Sequence, residues 1–469
     1  MKIIILGAGQ VGGSVAESLV SEANDITIVD TDQHRLQALQ DRLDLRTVRG
    51  NAALPSVLRD AGAADADLLL AVTQSDQTNL CACRAAETLF NIPKKIARLR
   101  SSDYAEFPEL LNKDNFSVDY SICPEQIVTD YIVKLIQVPQ ALQVLEFANG
   151  LLSLVAVRAM AGGALVGLPV ADISKHLPRA DARIAAIFRR DQPIIPEGNT
   201  LIEEGDEVFC LAATPDIGAV MRELRGAEQP TKRIIIAGGG NIGLRLAQAT
   251  ENDYVVRLIE GNRERAQFLA SNLNRALVLH GEATDESLLA GEGVSSTDFF
   301  IALTNDDEDN IMASLLAKKM GARRVLALIN RGVYAELVQA DRIDIAISPA
   351  QISLGVLLTH VRRGDVAAVH SLRRGAAEAL ELVAHGDRTT SKVVGRRVDE
   401  IALPKGASIG AIVRRMPSVA DSDGDSGMKV VIAHRGTLIQ SDDHVIVFLA
   451  NRKLVSQVER LFQVAFQFI

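Results

Sequence analysis

An apolar strand, a glycine-rich turn and a helix follow one another twice in the chain, and this doubled motif constrains the fold most. The first copy runs from Met1 to Gly12 and the second from Lys232 to Gly243, each with Gly-x-Gly-x-x-Gly spacing. In a nucleotide-binding turn the first glycine allows the sharp bend, the second lets backbone approach a pyrophosphate, and the third lets helix pack on strand. The unpaired N–H groups at the N-terminus of the helix would then bind the phosphates.

The similarity between the two halves continues past the glycine turns. At an offset of 231 residues or one less, matching pairs recur: Gly7 and Gly238, Gly9 and Gly240, Gly12 and Gly243, Asp30 and Glu260, Gly50 and Gly281, Thr73 and Thr304, Asp76 and Asp307, and Asn79 and Asn310. Two glycine motifs could coincide by chance, but an offset held over so many positions could not. The sequence therefore predicts a tandem duplication.

Each copy is predicted to contain a large α/β domain followed by a smaller domain. Strands that alternate with helices indicate right-handed crossovers and a doubly wound, Rossmann-like parallel sheet. Short alternating strands separated by turns follow, which is typical of a small α+β domain. The predicted units are 1–140, 141–226, 232–362 and 366–455.

Ligands of doubly wound sheets bind beyond the carboxyl ends of the strands, which defines a candidate site in the first half. An acid at the end of the second strand can accept hydrogen bonds from the ribose hydroxyls and would repel a 2′-phosphate, so NAD is favoured over NADP. A solvated or helix-capping acid is the alternative. An arginine at the same edge would meet a phosphate. The predicted residues are Gly7, Ala8, Gly9, Gln10, Val11, Asp30, Asn51, Ala52, Thr73 and Arg98.

The second half has a corresponding candidate site with different side chains. Its predicted residues are Gly238, Gly239, Gly240, Asn241, Ile242, Glu260 and Thr304. The strand predicted over 325–330 has no arginine inside it, because Arg323 and Arg324 precede it. We therefore expect the first site to bind a dinucleotide more tightly and the second to bind it more weakly or to prefer another nucleotide. Equal binding of both sites through backbone donors alone is the alternative.

Composition excludes several classes of function. A net charge of -9, no tryptophan and only 4% aromatic residues argue against nucleic acid as a partner. No apolar run approaches the roughly 18 residues of a membrane span, and the chain begins inside a strand, so neither a span nor a secretory signal is expected. The four cysteines lack the spacing of a zinc or redox site, which favours reduced thiols.

Three other motifs have simpler explanations than the chemistry that they suggest. The acidic run 306–309 resembles a metal cluster but is better explained as a solvated helix N-terminus. The Asp-rich insertion 418–427 resembles a calcium loop, but Ser426 stands where the glycine belongs. The eight histidines are scattered, form no metal-binding motif, and are predicted to be ordinary surface or core residues. No metal site or catalytic residue is therefore predicted.

The order of these motifs resembles the RCK domain, also called KTN plus TrkA-C. The resemblance rests on the first glycine turn with Asp30, Arg-Gly-Asn51, Val-Thr-Gln-Ser-Asp76 with Asn79, the Ser-x-Cys-Pro124 helix and the small β-rich domain. Two such units in one chain are similar to the regulatory subunits of bacterial Trk potassium uptake systems. The resemblance spans nearly the whole chain.

The resemblance implies a nucleotide-sensing regulator, not an enzyme. It implies NAD or NADH as ligand, with ATP or ADP as further ligands, and a ring-like homo-oligomer. The ring would lie in the cytoplasm, peripheral on the inner face of the membrane, beneath an integral potassium transporter subunit (TrkH/TrkG-like). Helix 125–137 and its counterpart after Pro349 are candidates for the moving surfaces, and ordinary core helices are the alternative.

Two functions from other classes share the glycine turns. An NAD-dependent oxidoreductase would need a substrate domain, and the duplication leaves no third kind of domain for it. A nucleotide-sensing transcriptional regulator would need a helix–turn–helix and a basic face, and neither is visible in the sequence.

Overall fold

The computed structural model describes residues 1–20, 24–101, 103–178, 180–190, 192–194, 196–226, 229–331, 334, 342–362, 366–373, 377–416 and 427–464. Most of the Asp-rich insertion predicted over 418–427 lies outside these residues. Among the helices of the described ranges, none is both long enough and apolar enough to cross a bilayer.

The first large domain is a parallel six-stranded sheet in the order β3-β2-β1-β4-β5-β6. Its elements are β1 (Lys2–Leu6), α1 (Gln10–Val20), β2 (Asp25–Asp30), α2 (Gln33–Gln40), β3 (Arg46–Arg49), α3 (Pro55–Asp60), β4 (Leu68–Ala71), α4 (Asp76–Phe90), β5 (Lys94–Arg98), α5 (Asp103–Glu106), β6 (Tyr120–Ile122) and α6 (Pro124–Gln137). The strand order reverses between β1 and β4, which creates a crevice at the carboxyl ends of those two strands.

An antiparallel five-stranded sheet follows, in the order β10-β9-β11-β8-β7. This first small domain contains β7 (Ala141–Phe147), β8 (Leu152–Arg158), α7 (Ile173–His176), β9 (Ala182–Arg189), β10 (Gln192–Ile194), β11 (Glu207–Ala213) and α8 (Ile217–Arg225). Alternating apolar side chains bury one face of β8 and β11 against α8, which has the apolar stripe expected of a surface helix.

The second half repeats both sheets. Its large domain has the order β14-β13-β12-β15-β16-β17, with all neighbours parallel. The elements are β12 (Arg233–Ala237), α9 (Asn241–Thr250), β13 (Val255–Glu260), α10 (Arg263–Asn272), β14 (Leu277–His280), α11 (Glu286–Gly291), β15 (Phe299–Ala302), α12 (Asp307–Lys319), β16 (Arg324–Leu328), β17 (Ile345–Ile347) and α13 (Pro349–Val361). The predicted duplicated Rossmann-like architecture is thus confirmed.

The second small domain has the strand order β18-β19-β22-β20-β21. Its elements are β18 (Val366–Leu372), β19 (Ala377–Ala384), β20 (Ala407–Arg415), β21 (Met428–Ile432), β22 (Asp443–Leu449) and α14 (Val455–Phe462). The inner faces of the two small sheets share one apolar core, in which Phe209 and Leu211 meet Ile446 and Phe448.

The two large domains exchange their last helices. Helix α6 packs on α9 of the second domain, and α13 packs on α1 of the first. Arg324, which the sequence placed before its strand, is instead the first residue of β16. It is buried and donates hydrogen bonds to the carbonyls of Leu135 and Ala141, so it holds the end of α6 against the second domain. Movement between the halves must therefore involve these helices.

Candidate functional site

A cleft of about 1100 Å³ opens at the carboxyl ends of β1 and β4, where the strand order reverses. It is lined by every residue predicted for the first site: Gly7, Ala8, Gly9, Gln10, Val11, Asp30, Asn51, Ala52, Thr73 and Arg98. These residues come from the ends of five strands, β1 to β5, and the parallel sheet brings them together because those ends share one edge.

The first glycine turn has the shape that backbone approach to a phosphate requires. Gly7 has a φ of +107°, which a side chain would strain. A Cβ at Gly12 would overlap the carbonyl oxygen of Gly7, so only glycine lets α1 pack this closely on β1. A Cβ at Gly9 would have nothing within 4 Å, which leaves open space beside the turn. The N-terminus of α1 therefore faces the cleft without obstruction.

Asp30 is held against this turn by backbone donors. Its carboxylate accepts hydrogen bonds from the N–H of Ala8 at 2.6 Å and from the N–H of Asp32 at 2.9 Å. An ionised carboxylate has about four lone-pair sites, so these two bonds leave capacity for ribose hydroxyls. The acid is thus positioned and oriented by the turn.

A buried asparagine, to which the sequence assigned no role, positions Thr73 and Arg98. Asn79 accepts hydrogen bonds from the N–H of Thr73 at 3.0 Å and from its hydroxyl at 2.7 Å. Its amide donates to the carbonyl of Arg98 at 2.8 Å. The ends of β4 and β5 are therefore tied together, and the recurrence of this residue as Asn310 was the signal in the sequence.

Arg98 shares a buried acid with Arg100. Atom Nη2 of Arg98 lies 3.6 Å from Oε1 of Glu125, to which Nε of Arg100 donates at 2.7 Å. Burial lowers the pKa of the Arg98 guanidinium, and the charge of Glu125 opposes that shift. The sequence missed Glu125, although it follows Pro124 at the start of α6 and so lies at the same edge of the sheet.

The second large domain forms the opposite wall of the same cleft. Of the residues predicted for the second site, Ile242 and Thr304 line the cleft. They are joined there by Leu303, Asn305, Asp306, Asp307, Leu328, Asn330, Arg331, Pro349 and Ala350. A ligand filling the cleft would therefore contact both halves of the chain.

The other residues predicted for the second site, Gly238, Gly239, Gly240, Asn241 and Glu260, do not line this cleft. Glu260 accepts hydrogen bonds from the N–H of Gly239 and of Asn262, each at 2.8 Å. A Cβ at Gly239 would overlap Cδ1 of Leu269, which explains glycine at the position of Ala8. Nε of Arg265 donates to the carbonyl of Gly239 at 2.8 Å, so a side chain already contacts this turn.

The acidic run 306–309 caps a helix. Asp306 accepts a hydrogen bond from the N–H of Asp309, and Asp307 accepts from the N–H groups of Asn330 and Arg331. Across the described ranges, no group of three or more His, Cys, Asp or Glu side chains could hold a metal ion. The N-cap role of Asp306 confirms the predicted helix N-terminus, but Asp307 is buried and not solvated as expected, because it binds the backbone that follows β16.

Comparison with known proteins gives consistent matches to one family. Residues 3–124 and 234–349 match the TrkA-N domain, and residues 154–225 match the TrkA-C domain. The chain is 54% identical to the Trk system potassium uptake protein TrkA of Halomonas elongata over all of both chains. It is also 54% identical to that of Vibrio alginolyticus over 99% of both.

A solved structure has a similar fold at low sequence identity. It is described as the GsuK channel bound to NAD, with a TM-score of 0.60 and 18% identity over 98% of this chain and 78% of that chain. The similarity shows the fold.

Proposed function

The chain belongs to the family of Trk system potassium uptake proteins named TrkA, and from that premise we propose that it is a nucleotide-sensing regulatory subunit. It binds NAD or NADH, and ATP or ADP as further ligands, in the first-half cleft. It assembles into a ring in the cytoplasm, peripheral on the inner face of the membrane. The ring controls an integral membrane subunit, TrkH/TrkG-like, that translocates potassium.

One observation carries this proposal. The cleft that contains the glycine turn, Asp30 and Arg98 has the second large domain as its opposite wall. An adenine nucleotide held by the first half would therefore have contacts that depend on the arrangement of the two halves. The NAD named for the similar GsuK channel supports a dinucleotide as ligand.

Control of a partner follows from linkage. A nucleotide changes an equilibrium only by binding one arrangement better than the other. A tenfold preference corresponds to about 1.4 kcal/mol per site, and several sites in a ring add their contributions. Helices α6 and α13 cross between the domains, so a change in the cleft would be transmitted through them.

Two measurements test the proposal. The purified protein is titrated with NAD, NADH, ATP and ADP by calorimetry, and membranes containing the potassium transporter are tested for nucleotide-dependent co-purification and ion flux. We expect saturable binding and a flux that changes with the nucleotide. Cofactor turnover with any substrate would favour an oxidoreductase, and failure to bind any of the four nucleotides would refute sensing.

A further inference from the structure

One buried carboxylate in the cleft binds both arginines that face the phosphate position. Glu125 is 7% exposed, and its Oε1 contacts Nη2 of Arg98 and Nε of Arg100. The Nε of Arg98 is buried without a hydrogen-bond partner among the described residues. The arginine pair is therefore partly neutralised from inside the protein, while one of its donors forms no hydrogen bond with the described residues.

The second large domain has a different residue at each position that corresponds to Arg98, Arg100 and Glu125. Asn310 donates to the carbonyl of Leu328 as Asn79 donates to that of Arg98, so Leu328 occupies the arginine position. Asn330 likewise corresponds to Arg100, because the N–H of each is bound by the first acid of the preceding helix.

The carboxylate is absent together with the arginines. Pro124 and Pro349 begin α6 and α13, and the next residues are Glu125 and Ala350. A carboxylate that only stabilised the first turn of this helix would serve both halves equally. Its presence only beside the arginines indicates that it acts on them.

We propose that Glu125 is a specificity-determining residue that occupies the place of a ligand phosphate and competes with it for Arg98 and Arg100. This inference rests on the proposed nucleotide binding. Phosphate oxygens and carboxylates use the same guanidinium donors, and the interaction strengthens as the cleft excludes water. A ligand must bring enough phosphate charge to displace Glu125, so affinity depends on the number of phosphates.

The displaced carboxylate lies on the helix that joins the two halves. Glu125 is in the first turn of α6, which packs on α9. On α9, Arg245 donates to Oε1 of Gln126 at 2.8 Å and to the carbonyl of Arg100 at 3.5 Å. Exchange of Glu125 for a phosphate therefore changes contacts at the junction with the second domain.

The test compares Glu125→Gln with Asp130→Asn, which removes an exposed charge from the same helix. The full-length protein is titrated with adenosine, AMP, ADP and ATP in a chelating buffer. For Glu125→Gln we expect ADP and ATP affinities to rise about tenfold, or about 1.4 kcal/mol, and adenosine affinity to change less than about twofold. Asp130→Asn should behave as wild type.

Glu125→Asp is a second variant for the case in which Glu125→Gln does not fold. It keeps the charge on a shorter side chain, and we expect its ATP affinity to lie between those of the wild type and Glu125→Gln. Unchanged ADP and ATP affinities in both variants, or an equal loss for all four ligands, would show that Glu125 only supports the helix. Absence of nucleotide binding by the wild type would instead refute the proposed function itself.

Discussion

The two large domains have the same fold, yet only the first combines its glycine turn with Arg98, Arg100 and Glu125. Both have the same strand order, the same Gly turn and the same Asn bridge between neighbouring strands. The acids also match, since Asp30 and Glu260 each bind two backbone N–H groups. The difference teaches that the same backbone, with the same asparagine bridge, can recur with different side chains at the carboxyl edge of its sheet.

Equivalent arginines illustrate the difference between the two turns. Arg35 forms an ion pair with Asp32 at 3.4 Å and lines the first cleft. Arg265 stands at the same position after its helix cap but donates to the carbonyl of Gly239. The arginine after the helix cap therefore contacts the glycine turn in the second half and an acid in the first.

The largest effect is expected from a methyl group at the second glycine of each turn. Gly9→Ala places a Cβ where the phosphates approach, and we expect nucleotide affinity to fall about a hundredfold, or about 2.7 kcal/mol. Gly240→Ala is the matched control, and should leave affinity unchanged. A Cβ at either position has nothing within 4 Å, so both variants should keep the wild-type melting temperature. Equal losses in affinity would mean that both turns bind the ligand.

An exchange at the arginine position should have a smaller effect. Arg98→Leu installs the residue found at position 328, and we expect ADP affinity to fall about tenfold, because charged hydrogen bonds contribute about 1.5–3 kcal/mol. Leu328→Arg, the reverse change, should not lower it. Calorimetry on both variants checks this, and a loss of similar size in Leu328→Arg would contradict the assignment of the phosphates to the first half.

The smallest effect concerns the small domains and depends on pH. A hydrogen bond to Glu381 raises the pKa of His444, while Glu381 also accepts from the N–H of Ala148 in the first small domain. Because the pKa of His444 is higher in the folded protein than in the unfolded chain, its interaction with Glu381 stabilises the fold fully below about pH 6.5. This stabilisation is lost as the pH rises through the pKa of folded His444.

Equilibrium unfolding from pH 5.5 to 8.5 measures this contribution. We expect His444→Gln to lower the free energy of unfolding by less than about 1 kcal/mol at the acidic end of this range and by almost nothing at the alkaline end. At the equivalent strand position Glu207 pairs with Arg373, whose charge is constant over this range, so Glu207→Gln should show no pH dependence there. If the free energy of unfolding that His444→Gln loses grows towards alkaline pH, the stabilising interaction of protonated His444 with Glu381 is refuted.

The repeated strands and turns could be predicted from sequence because each rests on local apolar patterns and glycine spacing. The start of helix α4 at Asp76 depends on a side-chain cap, because Ser75 accepts a hydrogen bond from the N–H of Thr78, and apolar periodicity does not show such a cap. The exchange of α6 and α13 could not be predicted, because helical periodicity does not state which sheet a helix covers. For the same reason the pairing of Glu125 with the arginines and the contact of Arg265 with the second turn were missed.

The central claim is that one of the two turns binds the nucleotide, and calorimetric stoichiometry tests it most directly. We predict one high-affinity nucleotide per chain, with affinity reduced about a hundredfold in Asp30→Ala, which loses charge-assisted hydrogen bonds, and unchanged in Glu260→Ala. Two equal sites per chain, or binding that survives Asp30→Ala and is abolished by Glu260→Ala, would contradict the account.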